Sequence, residues 1–506
     1  MTEPQFHTLI VGAGFSGIGA AIKLDEAGLP DYLIVEAASE AGGTWYWNTY
    51  PGIAVDIPSF SYQFSFEQSP EWSRTYAPGH ELKAYADHCV AKYGIDRKIR
   101  YRTEVTGAVF DDAANLWRVS TDTGTITARH LINAAGVLNV PKLPDIDGIE
   151  TFAGTTLHTA RWDHDADLTG KRVAVIGTGA SAVQLIPEIA PIVKQLTVFQ
   201  RTPIWCFPKF DVPLPAAARW AMRLPGGKAV QRALSQSYVE VTFPLSAQYH
   251  GIFPLAKGAE VLGRNYLRRE VRDPVLRDKL TPRYAVGCKR PAFHNSYLST
   301  FNRDNVSLVT DPIAGVTPAG VTTTDGVTHE VDILVLATGF KVMDVDSGTF
   351  ALIGSGGQSL AEFWSAHRMQ AYEGVSVPGF PNFFNVCGPY GYVGSSFFAL
   401  IETQTHHIVR CLSRAQRDGA TRIEVRRDAN NRYFAEMMRK RHRQIFWQDS
   451  CAAANSYYFD SNGDVPLRPA STPEAYWRSR RFPLEDYLFS SSSNGSPADR
   501  ESRFLG

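Results

Sequence analysis

Thr8-Leu9-Ile10-Val11-Gly12-Ala13-Gly14-Phe15-Ser16-Gly17, near the start of a 506-residue chain, is an apolar run closed by glycines at positions one, three and six of a turn. Ile18-Gly19-Ala20-Ala21-Ile22-Lys23-Leu24 continues with Ile and Leu at helical spacing, so the segment predicts strand, turn, helix. A second apolar run, Tyr32-Leu33-Ile34-Val35, ends in Glu36, 24 positions beyond Gly12, which completes a βαβ unit with an acid at its second strand tip. A helix N-terminus exposes unpaired N–H groups and partial positive charge, and it binds a pyrophosphate when no side chain blocks the approach. Gly12, Gly14, Phe15, Ser16 and Gly17 are therefore candidate cofactor-binding residues. The Glu36 carboxylate can accept hydrogen bonds from an unmodified ribose diol and would repel a 2′-phosphate, so FAD or NAD fits this unit.

The pattern recurs at Arg172-Val173-Ala174-Val175-Ile176, which leads into Gly177-Thr178-Gly179-Ala180-Ser181, a helix-like Val183 to Ala190 and a strand Leu196 to Phe199. Its tip carries Gln200-Arg201 in place of an acid. A guanidinium there would pair with a 2′-phosphate, which suits NADPH; the alternative is a solvated surface Arg. A third apolar strand, Asp332 to Leu336, ends in Ala337-Thr338-Gly339. Two dinucleotide sites of opposite charge preference imply a flavin reduced by a nicotinamide. A disulfide reductase would need a redox CxxC, which the chain lacks, so oxygen is the leading electron acceptor.

The rest of the chain is consistent with an α/β fold of two Rossmann-like dinucleotide-binding domains, with a helical insertion in the second. The expected boundaries are 1–145 for the first part of the FAD domain, 146–332 for the NADP domain with an insertion at about 210–285, and 333–487 for the second part of the FAD domain. Residues 488–506 read as a disordered tail, and Gly107 to Thr127 as a β-meander. Lys plus Arg and Asp plus Glu number 51 each, so no long-range charge draws the chain to nucleic acid or an anionic membrane. Hydrophobic residues at 44% and charged residues at 20% describe a folded chain. Six cysteines without paired spacing suggest neither a disulfide scaffold nor a metal site, only idle thiols in a reducing cytoplasm. No export signal and no apolar run of about 18 residues is legible, so a cytoplasmic location is expected.

Phe152-Ala153-Gly154-Thr155-Thr156-Leu157-His158-Thr159-Ala160-Arg161-Trp162-Asp163 matches FxGxxxHxxxW(P/D) at every fixed position, and Gly42-Gly43-Thr44-Trp45, Tyr50-Pro51-Gly52 and Asp56 complete GGxWxxxx(Y/F)PGxxxD. With Cys288-Lys289-Arg290-Pro291, these segments make the chain resemble the type I Baeyer–Villiger monooxygenases, class B flavoproteins, over essentially residues 8 to 485. The resemblance implies an NADPH- and O2-dependent enzyme that converts small-molecule ketones to esters or lactones through a C4a-peroxyflavin while NADP+ stays bound. It implies that Gly43, Thr44, Trp45, Asp56, Tyr62, Thr202, Ala337, Thr338 and Gly339 are cofactor-binding residues, and that Arg201 and Lys289 serve the NADPH 2′-phosphate. Tyr457, in Asn455-Ser456-Tyr457, stands where better-known members carry a nicotinamide-ribose Trp.

A peroxide must stay anionic near neutral pH without being lost, and a fixed cation in a dry pocket meets that requirement. The resemblance makes Arg290 the expected catalytic cation, positioned by Asp56; the alternatives are a loop salt bridge and a turn-stabilising Asp after Pro51-Gly52. His158 reads as a linker hydrogen-bonder rather than an acid or base, and Trp45, Tyr46 and Trp47 as flavin wall and core filler together. Gly394-Ser395-Ser396 offers either a helix N-terminus for the flavin's negative edge or an ordinary cap. The runner-up activity is sulfur or nitrogen oxidation by a flavin-containing monooxygenase, and a third reading is a catalytically silent dinucleotide sensor.

Overall fold

The structure is a computed structural model that describes residues 3–342 and 350–491. Its first unit opens with β1 (Phe6–Val11), α1 (Phe15–Glu26) and β2 (Tyr32–Val35), as the glycine turn predicts. Further strands are β3 (Ile99–Arg100) and the meander β4 (Val105–Asp111), β5 (Leu116–Thr121) and β6 (Gly124–Asn133). Strand β1 lies between β2 and β6, parallel to both, and β2 is fully buried because both faces of the sheet are covered.

The second unit is a five-stranded parallel sheet in the order β10-β9-β8-β11-β7. Its members are β7 (Thr155–His158), β8 (Arg172–Ile176), β9 (Gln195–Phe199), β10 (Val306–Val309) and β11 (Ile333–Leu336), with α2 (Ala180–Ile189) after β8. Strand β11 pairs with both β7 and β8, so the boundary expected at 332/333 moves beyond Leu336. The apolar run there is a central strand of the second sheet, and the chain returns to the first sheet only with β12 (Ala351–Ile353) and β13 (Phe383–Asn385).

Between β9 and β10 sits the helical insertion: α3 (Ala216–Arg223), α4 (Gly227–Glu240), a π-helical continuation over Val241–Gln248, α5 (Ala256–Glu270) and α6 (Pro274–Leu280). After β13 comes the long helix α7 (Phe397–Asp418), capped by Ser396, whose Oγ accepts from Phe398 N and donates to Ser61 O. Two further strands, β14 (Arg422–Val425) and β15 (Tyr487–Ser490), pair antiparallel. They correct the start of the expected disordered tail at 488–506: Leu488 lies within β15 opposite Glu424, and Phe489 packs against the core of the first unit. Burial of that apolar side chain and the ladder of backbone bonds hold the segment in place. The rest of the expected tail, from 492 onward, lies outside the described residues.

Candidate active site

At the first glycine turn, helix α1 starts at Gly14 without a side-chain cap, so its first N–H groups stay available to an anion. A Cβ on Gly12, which has φ +101°, would lie 2.9 Å from Ala134 O, and one on Gly17 would lie 1.9 Å from Gly12 O. A Cβ on Gly43 would lie 2.8 Å from Gly14 Cα, so the turn carrying Thr44 and Trp45 closes against the first turn backbone to backbone. Glu36 is buried, and its two carboxylate oxygens accept from Ala13 N at 2.6 Å and Ala38 N at 2.8 Å. These bonds hold the acid at the rim of the turn, where a ribose diol would meet it; the cradle fits FAD. Phe15 turns inward onto Phe398, with ring centroids 4.6 Å apart, so only its backbone serves the turn, and Ser16 stands half-buried beside it.

The second turn has the same construction. Helix α2 begins at Gly179 without a side-chain cap, and a Cβ on Gly179 would meet nothing within 4 Å, which leaves the space above the helix end open. Gly177, at φ +119°, brings the strand end against Ala337 O, where a Cβ would lie 2.4 Å away. Thr178 Oγ1 donates to Thr202 O at 2.9 Å and fixes the turn to the strand tip. Ala180 is exposed and Ser181 half-buried at the start of the helix. Beyond the tip, burial and the charge of Arg201 push the Lys289 ammonium down to about 8. The tip thus carries two cations that act on one another, and these residues fit a 2′-phosphate. Thr338 Oγ1 donates to Lys142 O at 2.5 Å and meets His158 Nε2 at 3.3 Å, while His158 Nδ1 accepts from Ala160 N. His158 thus ties the strand ends together, in keeping with the linker reading; Gly339 follows at φ +81°.

Between the turns, Arg290 Nε donates to Asp56 Oδ2 at 2.7 Å and its Nη2 to Asp56 Oδ1 at 3.0 Å. Burial would raise the Asp56 carboxyl, but the Arg290 charge and hydrogen bonds, with the Lys209 cation behind them, hold it below its ordinary range. Burial works against the Arg290 charge, and Asp56 outweighs it, so the guanidinium is held well above its ordinary range. Asp56 takes two of the five guanidinium N–H bonds. Tyr62 meets Trp45 edge-on at 5.7 Å, and Tyr457, 43% exposed, lies against Tyr458 at 4.6 Å. Asn455 Nδ2 donates to Thr202 Oγ1 at 2.8 Å, which brings the Tyr457 loop onto the second strand tip.

Residues 9–214 match the pyridine nucleotide-disulphide oxidoreductase family. A Baeyer–Villiger monooxygenase of Streptomyces coelicolor is 36% identical over 482 residues, covering 94% of this chain and 91% of that one. The chain belongs to the Baeyer–Villiger monooxygenases. Among solved structures, the complex of OTEMO with FAD and NADP superposes with a TM-score of 0.86 at 29% identity, covering 97% of this chain and all of that one. Cyclohexanone monooxygenase from Rhodococcus sp. Phi1 bound to NADP+ gives 0.87 at 29% identity over the same shares.

The site of this monooxygenase also holds residues that its sequence did not single out. Gln184 Oε1 accepts from Tyr50 OH at 2.8 Å and its Nε2 donates to Ala54 O at 2.8 Å, so α2 of the second unit holds the loop that carries Asp56. A polar residue on the buried face of an apolar helix was the available signal. Lys209 is buried, with its ammonium 4.9 Å over the Tyr76 ring; nothing local in the sequence marks it. Phe243 of the insertion lies 5.9 Å from the Arg290 guanidinium, and Gly394, at φ +92°, leaves it room. One expectation is overturned: Cys288 and Cys451 form a disulfide across 163 residues of sequence, joining the Lys289-Arg290 segment to the Tyr457 loop. Distant cysteines meet only through the fold, so their spacing carried no sign of it. The remaining cysteines are free. Among the described residues, no helix is long and apolar enough to cross a membrane and no group of side chains could hold a metal ion.

Proposed function

We propose that this chain oxidises a small-molecule ketone to an ester or lactone with FAD, NADPH and O2, and that Arg290 is its catalytic cation. When bound, FAD activates oxygen after NADPH has supplied a hydride. The observation that carries the reading is the bidentate clamp of Asp56 on Arg290 beside Tyr62, with the preceding residue, Lys289, under the charge of Arg201.

Lys289, Arg201 and Thr202 would hold the 2′-phosphate, and the uncapped α2 helix end would receive the pyrophosphate. Glu36 and the α1 helix end would do the same for the flavin nucleotide. Asp56 fixes the guanidinium plane of Arg290 without neutralising its remaining donors, and those donors stabilise negative charge developing on a substrate oxygen. Tyr457, packed on Tyr458, would offer its flat face to the nicotinamide ribose. Phe243 forms the wall that reads ketone shape. The test is product mass after incubation with NADPH, O2 and a panel of ketones, sulfides and amines. Ester or lactone is expected; oxidation of sulfides or amines with every ketone returned intact would overturn the reading.

A further inference from the structure

The helical insertion exposes a continuous apolar face. Val230, Leu234, Tyr238 and Val241, at successive turns of α4 and its π-helical continuation, are 60%, 65%, 37% and 51% exposed, and Trp220 of the preceding helix and Leu224 just beyond its end add apolar surface at 61% and 45%. The opposite face is occupied: Ser235 and Val239 are buried, Gln236 Nε2 donates to Ser395 Oγ at 3.0 Å, and Phe243 stands at Arg290. Over α3 and α4 the charged residues are the cations Arg219, Arg223, Lys228 and Arg232 and one acid, Glu240, which accepts from Thr472 N at 3.0 Å. Arg223 pairs with Glu71 and Arg232 turns inward to Gln63 O, whereas Arg219 and Lys228 have no ion pair among the described residues.

We infer that this face docks on an anionic lipid surface. An amphipathic helix with aromatic and aliphatic residues outward and basic residues beside them adsorbs in the plane of a membrane interface. A second copy fits less well, because a two-fold contact would set the same cations against one another. The chain as a whole is electrically neutral, so the attraction is local to the insertion. Resting on the proposed ketone oxidation, the inference names the substrate class as ketones that partition into lipid, since one helix separates the docking face from Phe243.

The experiment is co-sedimentation of the holoenzyme with vesicles of phosphatidylcholine alone or mixed with phosphatidylglycerol. Binding to the mixed vesicles that weakens with salt is expected, and Val230→Glu with Leu234→Glu should lower the bound fraction about tenfold while turnover of a water-soluble ketone is unchanged. No binding to mixed vesicles, or equal binding by the double variant, overturns the inference. So does a dimer in light scattering that the double variant dissociates, since a second copy would then cover the face. Loss of all ketone turnover would strike the proposed function and leave the sedimentation result standing by itself.

Discussion

With the Lys289 ammonium pushed down to about 8 by burial and by Arg201, the proposed 2′-phosphate contact should make cofactor choice depend on pH. A 2′-phosphate needs the protonated amine, whose fraction in the free enzyme falls from about nine-tenths at pH 7 to about one-tenth at pH 9. Since kcat/KM reports the free enzyme, its value for NADPH should fall about tenfold over that interval, equivalent to about 1.4 kcal/mol. NADH lacks the 2′-phosphate and serves as the internal control. Steady-state NADPH and NADH oxidation with a saturating ketone should therefore show a cofactor ratio that declines with pH. Lys289→Ala should flatten that ratio near its high-pH value. A ratio constant from pH 7 to 9 in the native enzyme, or the same decline in the Lys289→Ala variant, would refute the assignment.

Arg290→Ala removes the donors that Asp56 orients, so ester formation should fall about 10²- to 10³-fold in kcat while flavin reduction by NADPH, followed by stopped-flow absorbance, is nearly unchanged. Normal ester yield would remove Arg290 from the chemistry. Gly177→Ala places a methyl 2.4 Å from Ala337 O at a positive φ, so thermal unfolding should show a loss of about 1–3 kcal/mol together with weaker NADP retention. Cys288→Ser opens the tie to Cys451 and should cost about 2–4 kcal/mol. Dithiothreitol should lower the Tm of the native enzyme and leave the variant unmoved; an unmoved native Tm would contradict a stabilising role.

The two glycine turns were legible because their chemistry is local. Gly12 and Gly177 hold positive φ against a neighbouring strand, and the helices that follow begin within a few residues. Arg290 and Asp56 were legible through resemblance, and their bidentate contact joins segments 234 positions apart. Gln184 and Lys209 were missed because each acts across the interface between units, where residue type alone carries no address. The run Ile333–Leu336 was assigned to the wrong domain for a related reason: an apolar strand fits any parallel sheet, and only its pairing with β7 and β8 decides which.

By itself, then, the sequence determined two strand–turn–helix units, with the acid Glu36 at one strand tip and the cation Arg201 at the other, since both depend on neighbours along the chain. Tertiary structure alone decided the Cys288–Cys451 bond, the grip of Gln184 on the Asp56 loop and the outward face of the insertion. Those features arise where distant segments exclude water together, and no local pattern encodes which segments meet.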